Sequence, residues 1–156
     1  MSRTNHARKP NCQARRCATP RGTPRICASD GDHIRVPLRA MLDLGIPIGA
    51  GSDAPSAPPD PGPGIAAATD RNGDPAGYSF DPAQTMTRSE AVYAYTIGAA
   101  RCLGQSQHVG SLAPGMQGNL VAWNTDLLSA TSVEVAAARP VLTVIDGDVA
   151  WAAPQA

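Results

Sequence analysis

The segment that most constrains the fold is IPIGAG, residues 46–51, a short run of small and apolar residues. Such continuity is typical of a parallel strand that is covered on both of its faces. A helix is predicted just before it, over residues 37–44, because Pro37 suits a first helical position and Gly45 a stop. A helix followed by a buried strand predicts an α/β fold, with Asp53 just past the C-terminal end of the strand.

Other segments carry clear local signals. The pattern TRSEAVYAYTIGAARCLG predicts a helix over 87–103, because Thr87 and Glu90 form a capping box. Its predicted buried stripe consists of Val92, Tyr95, Ala99, Cys102 and Leu103. A short helix is predicted over 64–70, within the long, turn-rich segment 56–83.

The C-terminal third changes to a strand-like pattern. GSLAPGMQGNLVAWN (110–124) predicts a turn followed by a strand, and PVLTVIDGDVAW (140–151) predicts two strands joined at Asp146 and Gly147. The segment between them, 127–139, is ambiguous, with a short helix as one interpretation. No internal repeat is present.

The first 30 residues differ from the rest in charge. They hold seven basic residues before the first acid, Asp30, whereas the remaining chain holds six basic and thirteen acidic residues. Without apolar periodicity, residues 1–30 are predicted to be a disordered basic arm. One explanation is binding of nucleic acid through phosphate contacts, although the arm has no aromatic residue to stack on bases. The other is translation from another reading frame, which is preferred because the charge changes abruptly and apolar periodicity is absent before about residue 30.

Asp53 has two interpretations. Parallel α/β folds present catalytic groups at the C-terminal ends of their strands, where an aspartate can bind a divalent cation and accept a proton from the metal-bound water. The same residue could instead cap the turn that enters APSAPPD. Spacing alone does not decide between them, because one carboxylate after a strand is a weak signal.

Four blocks resemble, in order, the closing part of the metal-dependent amidohydrolase superfamily, and most closely its amidohydrolase-3 branch. They are VPLRAMLDLGIPIGAGSDAP, TRSEAVYAYTIGAARCLG, VGSLAPGMQGNLVAWNTDLL and VLTVIDGDVAW. The resemblance implies that 46–51 is the eighth strand of a (β/α)8 barrel and that Asp53 is a metal-binding, proton-handling aspartate. It also implies that residues from about 109 complete a small β-sandwich, and that the activity is hydrolysis of amide or other C–N bonds, with zinc as the expected metal.

The resemblance covers only part of such an enzyme. The family's early His-x-His pair, bridging lysine or carboxylate and two later histidines have no counterpart, since the chain's histidines are His6, His33 and His108 and no two form a ligand pair. A complete barrel needs about 250 residues. We therefore predict a C-terminal fragment, with an arm (1–30), the last barrel strands and helices (31–108) and sandwich strands (109–156).

A hydrolytic zinc site needs about three protein ligands, so the chain alone is predicted to be inactive and to retain no metal. The expected partners are a small-molecule amide substrate in the complete enzyme and either a complementary barrel portion or a second copy of the chain. A role in ligation or catalysis is not favoured for His33, and His108 is predicted to lie in a surface turn.

The cysteine pattern predicts free thiols rather than a disulfide scaffold. Cys12, Cys17 and Cys27 lie in the arm at spacings that do not match a zinc knuckle, and Cys102 is predicted to be a small core residue. No apolar run approaches the ~20 residues that span a bilayer, and the basic start is not followed by the apolar block of a signal peptide. The expected location is the cytoplasm, with no membrane partner.

Overall fold

A computed structural model describes residues 37–55, 57–70 and 82–154. The predicted arm, with His6 and three of the four cysteines, lies outside these residues, as do His33 and part of the loop 56–83. Within them, the structure is α/β with one small antiparallel three-stranded sheet. None of its helices is long and apolar enough to cross a membrane.

Two short helices flank the segment that carries Asp53. Helix α1 (Leu38–Asp43) confirms the predicted helix over 37–44. Helix α2 (Pro61–Thr69) begins three residues before the predicted start, because the Asp60 side chain accepts a hydrogen bond from the Gly62 amide and Pro61 takes the first helical position. A 3₁₀ turn follows at Pro82–Gln84.

The longest helical segment runs through three geometries. Helix α3 (Arg88–Tyr93) continues into a π-helical turn (Ala94–Gly98) and then into α4 (Ala99–Cys102). The capping box at Thr87 and Glu90 is present as predicted. The predicted buried stripe is partly wrong, because the π turn adds a residue to one turn and rotates the later residues around the axis. Ala91, Ala94 and Ala100 are buried, whereas Leu103 is 76% exposed.

The hydrophobic core lies among the helices and the segment 46–51. It includes Leu38, Ile48, Ile65, Met86 and Val135. Val135 belongs to helix α5 (Ser132–Ala136), which resolves the ambiguous segment 127–139 as a helix with a second capping box, formed by Thr131 and Glu134. Helix α5 packs against α2, so the C-terminal third shares one core with the rest of the described chain.

The sheet has the order β1 (Leu120–Trp123), β2 (Pro140–Ile145), β3 (Asp148–Ala152), with both pairings antiparallel. Asp146 and Gly147 connect β2 and β3 as predicted, with φ of 53° and 88°. Two positive φ angles in a two-residue loop are the signature of a type I′ hairpin. None of the strand residues is buried, and all five of β3 are exposed.

The predicted parallel strand at 46–51 is not part of a sheet in the described chain. Only Ile48 lies in an isolated bridge. A strand requires a neighbour that supplies ladder hydrogen bonds, and the amide of Ala50 instead donates to the carbonyl oxygen of Ala94, 2.9 Å away in the π turn. The segment therefore packs against a helix, and the described residues form no barrel.

Candidate functional site

Asp53 lies two residues beyond the segment 46–51, and it is exposed. Its backbone has a φ of 56°, in the left-handed region that few residues other than glycine adopt, and the peptide bond between Ala54 and Pro55 is cis. Aspartate tolerates the left-handed region better than most residues, which suits a turn, and such residues also cluster at functional sites. The geometry fits both interpretations made from the sequence.

The approach to Asp53 is fixed by contacts between backbones. Gly49 and Gly98 are both buried where the segment crosses the helix. A Cβ atom built on Gly49 would lie 2.5 Å from the Cys102 Sγ and 3.2 Å from the Cα of Ala99, and one built on Gly98 would overlap the carbonyl oxygen of Ile48. Only glycine allows this approach, which brings the Ala50 amide to the carbonyl oxygen of Ala94.

An ion pair connects helix α1, which precedes the segment 46–51 in the chain, with helix α3. The Arg39 guanidinium donates two hydrogen bonds of 2.9 Å, one to each carboxylate oxygen of Glu90, and a third of 2.9 Å to Asp43. The Arg39 contact, with hydrogen bonds from Thr87, lowers the pKa of Glu90 from 4.5 to about 2. This carboxylate is therefore ionised and committed to structure at neutral pH, which makes it a poor candidate for proton transfer.

The loop after Asp53 is also tied to the C-terminal third. Asp60 caps α2 through one carboxylate oxygen, and its other oxygen lies 3.3 Å from an Arg139 guanidinium nitrogen. The Arg139 amide in turn donates to the Asn124 side chain, 2.8 Å away at the end of β1. This chain of contacts connects the segment that follows the site to the sheet.

The family resemblance implies a metal, so we tested whether the residues present fit one. Within the described ranges, no three His, Cys, Asp or Glu side chains form a group that could hold an ion. His108, the one histidine in those ranges, is exposed in the turn before β1, as predicted. Asp53 supplies one carboxylate where a zinc site needs about three protein ligands. The described residues do not fit a metal by themselves.

A shallow groove of about 330 Å³ lies beside the helical segment, and it is separate from Asp53. Its lining includes Tyr95, Leu103, Val109, Leu112 and Leu120, and no acid, histidine or cysteine. Burial raises the pKa of the Tyr95 hydroxyl, which keeps it protonated. The groove holds no group that could serve as a base at neutral pH.

The cysteine prediction requires a correction. Cys102 is disulfide-bonded rather than a free thiol. The prediction rested on cysteine spacing alone, which cannot show which thiols a fold brings together.

The sequence patterns did not reveal two features of the packing around the segment 46–51. The pairing of Arg39 with Glu90 joins residues 51 positions apart, so no local pattern shows it. Gly98 left a signal, since a glycine inside an otherwise regular helical pattern often marks a close approach of another backbone. That signal marks a position of close packing but does not show which segment approaches it.

Comparison with known proteins identifies a family and a relative that the chain resembles. The sequence model of a family described as "Amidohydrolase family" matches residues 13–150. The chain is also 29% identical over 117 residues to an N-substituted formamide deformylase from Arthrobacter pascens. That alignment covers 74% of this chain and 21% of the relative, so the chain spans about a fifth of the length of the enzyme it matches.

Proposed function

Because the chain belongs to the amidohydrolase family, whose members are generally metal-dependent, we propose that it serves in the hydrolysis of non-peptide C–N bonds. The family match over residues 13–150 carries this proposal. The exposed position of Asp53 at the end of a tightly packed segment is consistent with it. The chain is, on this proposal, the C-terminal portion of a barrel enzyme together with part of its β-sandwich.

Asp53 is the residue to which we assign the chemistry. Its carboxylate would contribute one ligand to a divalent-metal site, with zinc as the proposed ion. When bound, such an ion polarises a carbonyl oxygen and makes water more acidic. Asp53 itself accepts a proton from the attacking water and returns it to the departing amine.

The ligand count gives a second part of the proposal. The described residues bring together no group of ligands, and one carboxylate cannot hold zinc at useful affinity, so we expect the isolated chain to be inactive and to retain no stoichiometric metal. A complementary barrel portion would supply the missing ligands, and a second copy of the chain is the other candidate partner. The cytoplasmic location stays a prediction from the sequence.

The substrate class follows from the relative. N-substituted formamides are the compounds named for the Arthrobacter pascens enzyme, and a small amide of that kind is the first substrate to test. A small acyl group leaves the nitrogen substituent as the part that distinguishes one substrate from another, so a panel should vary that substituent.

A chimera provides the sharpest test. The 117 residues of this chain that align with the Arthrobacter pascens enzyme would replace the corresponding segment of that enzyme. Zinc content and formamide hydrolysis would be measured in this chimera, in its Asp53→Asn variant and in its Asp148→Asn variant. Asp148 is an exposed aspartate in β3 and serves as the matched control. We expect turnover to be lost in Asp53→Asn and kept in Asp148→Asn. A folded Asp53→Asn chimera with full turnover would contradict the assignment.

The isolated chain needs its own measurement. Purified full-length chain should contain no stoichiometric zinc by elemental analysis and should not hydrolyse the same formamides. Stoichiometric zinc together with turnover that depends on Asp53 would show that the chain is a complete enzyme, and the fragment proposal would then be abandoned.

A second candidate function is nucleic-acid binding by the arm. Its basis is the seven basic and no acidic residues before Asp30. Phosphate contacts predict binding that weakens steeply with salt. Binding to DNA or RNA that disappears when residues 1–30 are removed would favour this function, and equal binding with and without the arm would exclude it.

A further inference from the structure

The π-helical turn in the middle of the longest helical segment has no role in the function described so far. π turns are rare and are found mostly as single-turn insertions, frequently at functional sites. Here the Ala94 carbonyl oxygen accepts a hydrogen bond from Ala99 within the turn and a second one, of 2.9 Å, from the Ala50 amide. One helical carbonyl therefore holds a residue that lies three positions before Asp53.

Gly98, the last residue of the turn, fixes how closely the segment can approach. A Cβ atom at this position would overlap the Ile48 carbonyl oxygen. The obstacle is backbone on both sides, so no side-chain rotation could relieve it. The segment 48–50 is thus held against the helix by the hydrogen bond at Ala50, and the absence of a side chain at Gly98 allows the close approach at Ile48.

We propose that the π turn and Gly98 form a positioning device for the Asp53 carboxylate, with Gly98 as the positioning residue. This inference rests on the proposed role of Asp53. Carbon and oxygen atoms that are not bonded to each other lie about 3.3 Å apart or more, so a methyl group at Gly98 would displace the segment by on the order of 1 Å. A shift of that size at a catalytic group is enough to reduce a rate by about a hundredfold.

The test compares two glycines in the full-length chain. Gly98→Ala introduces the overlap, whereas Gly51→Ala, in the segment itself, places its methyl group in open space. The readouts are amide hydrogen exchange at Ala50 and Ala91, and the chemical shifts of the Asp53 amide and carboxyl carbon. Ala91 donates to the Thr87 carbonyl oxygen and reports on the helix alone.

We expect Gly98→Ala to accelerate exchange at Ala50 at least tenfold relative to Ala91 and to move the Asp53 resonances. Gly51→Ala should leave the Ala50 to Ala91 ratio unchanged. A purely structural role for Gly98 would accelerate both amides alike and leave Asp53 unmoved, and that result would overturn the proposal. So would an equal effect of the two substitutions.

Two further measurements keep the proposal testable if Gly98→Ala does not fold. Gly49→Ala presses on the same crossing from the other side, where its Cβ would lie 2.5 Å from the Cys102 Sγ and 3.2 Å from the Ala99 Cα, and should produce the same selective change. In the unsubstituted chain, the Ala50 amide should be protected, and exchange at the rate of an unstructured peptide would overturn the proposal. These outcomes are independent of the Asp53→Asn chimera, so the two proposals can fail separately.

Discussion

Replacing Glu90 by glutamine tests the brace between α1 and α3. The Glu90 carboxylate accepts two hydrogen bonds from Arg39 and two from Thr87, at 2.8–2.9 Å. Glutamine keeps the size of the side chain but removes its charge, and one of its terminal atoms becomes a donor that faces another donor. The substitution therefore weakens the ion pair and the capping box together.

The lowered pKa of Glu90 gives an upper limit for the loss of stability. A carboxyl group whose pKa falls from 4.5 in the unfolded chain to about 2 in the folded one corresponds to at most about 3 kcal/mol of stability. The Glu90 side chain is 31% exposed, so screening by solvent reduces this value. We expect Glu90→Gln to lower the free energy of unfolding by about 1–2 kcal/mol at pH 7.

The pH dependence has a definite sign. Because the folded pKa of Glu90 is the lower one, its contribution is complete above about pH 4.5 and is lost as the pH falls toward 2. The difference between the original chain and Glu90→Gln should therefore narrow between pH 6 and pH 3. Urea unfolding followed by far-ultraviolet circular dichroism at both pH values measures it.

Asp43→Asn is the matched control, because Asp43 is the other partner of Arg39 and its side chain is 64% exposed. It should change the free energy of unfolding by no more than about 0.5 kcal/mol. A Glu90→Gln chain as stable as the original at pH 7, or a stability difference independent of pH, would refute the reasoning.

Three further substitutions, two of them paired with a control substitution, test the packing by urea unfolding. Val135 is fully buried, so Val135→Ala should lower the free energy of unfolding by about 2 kcal/mol. The control is Val149→Ala, at a site 64% exposed, which should lower it by less than about 0.5 kcal/mol. Gly62→Ala should lower the free energy of unfolding by about 1–3 kcal/mol, because its Cβ would lie 2.6 Å from the Val135 carbonyl oxygen. Replacing glycine by alanine in a helix usually raises stability, so a gain would count against the close packing of α2 on α5. Asp60→Ala should lower the free energy of unfolding by about 1 kcal/mol through the lost cap. Asp60→Asn keeps the cap, so its free energy of unfolding should lie within about 0.5 kcal/mol of that of the original chain. Equal losses in the two variants would assign the effect to the contact with Arg139.

The elements that the sequence predicted well are those with local chemistry. The capping box at Thr87 and Glu90 and the hairpin at Asp146 and Gly147 depend on residues two to four positions apart, and both are present. The start of α2 was also local, since Asp60 and Pro61 marked it, but the prediction followed the apolar run and began too late.

The features that could not be predicted depend on contacts between distant residues. Residues 46–51 have the composition of a buried strand, and burial is correct for Ile48 and Gly49. Composition reports that a segment is covered, however, and not by what, so it could not show that the cover is a helix. The rotation of the buried stripe has the same origin, because the π turn contacts a segment 44 or more residues earlier in the chain.

The three-stranded sheet determines what fluorescence can report. The chain's two tryptophans are Trp123 in β1 and Trp151 in β3. Tryptophan emission therefore reports on the sheet and does not report directly on the helices around Asp53. Their different surroundings, with Trp123 partly buried and Trp151 45% exposed, should give two emission components. An unfolding curve recorded by tryptophan emission that coincides with one recorded by circular dichroism would show that the sheet and the helices melt as one cooperative unit.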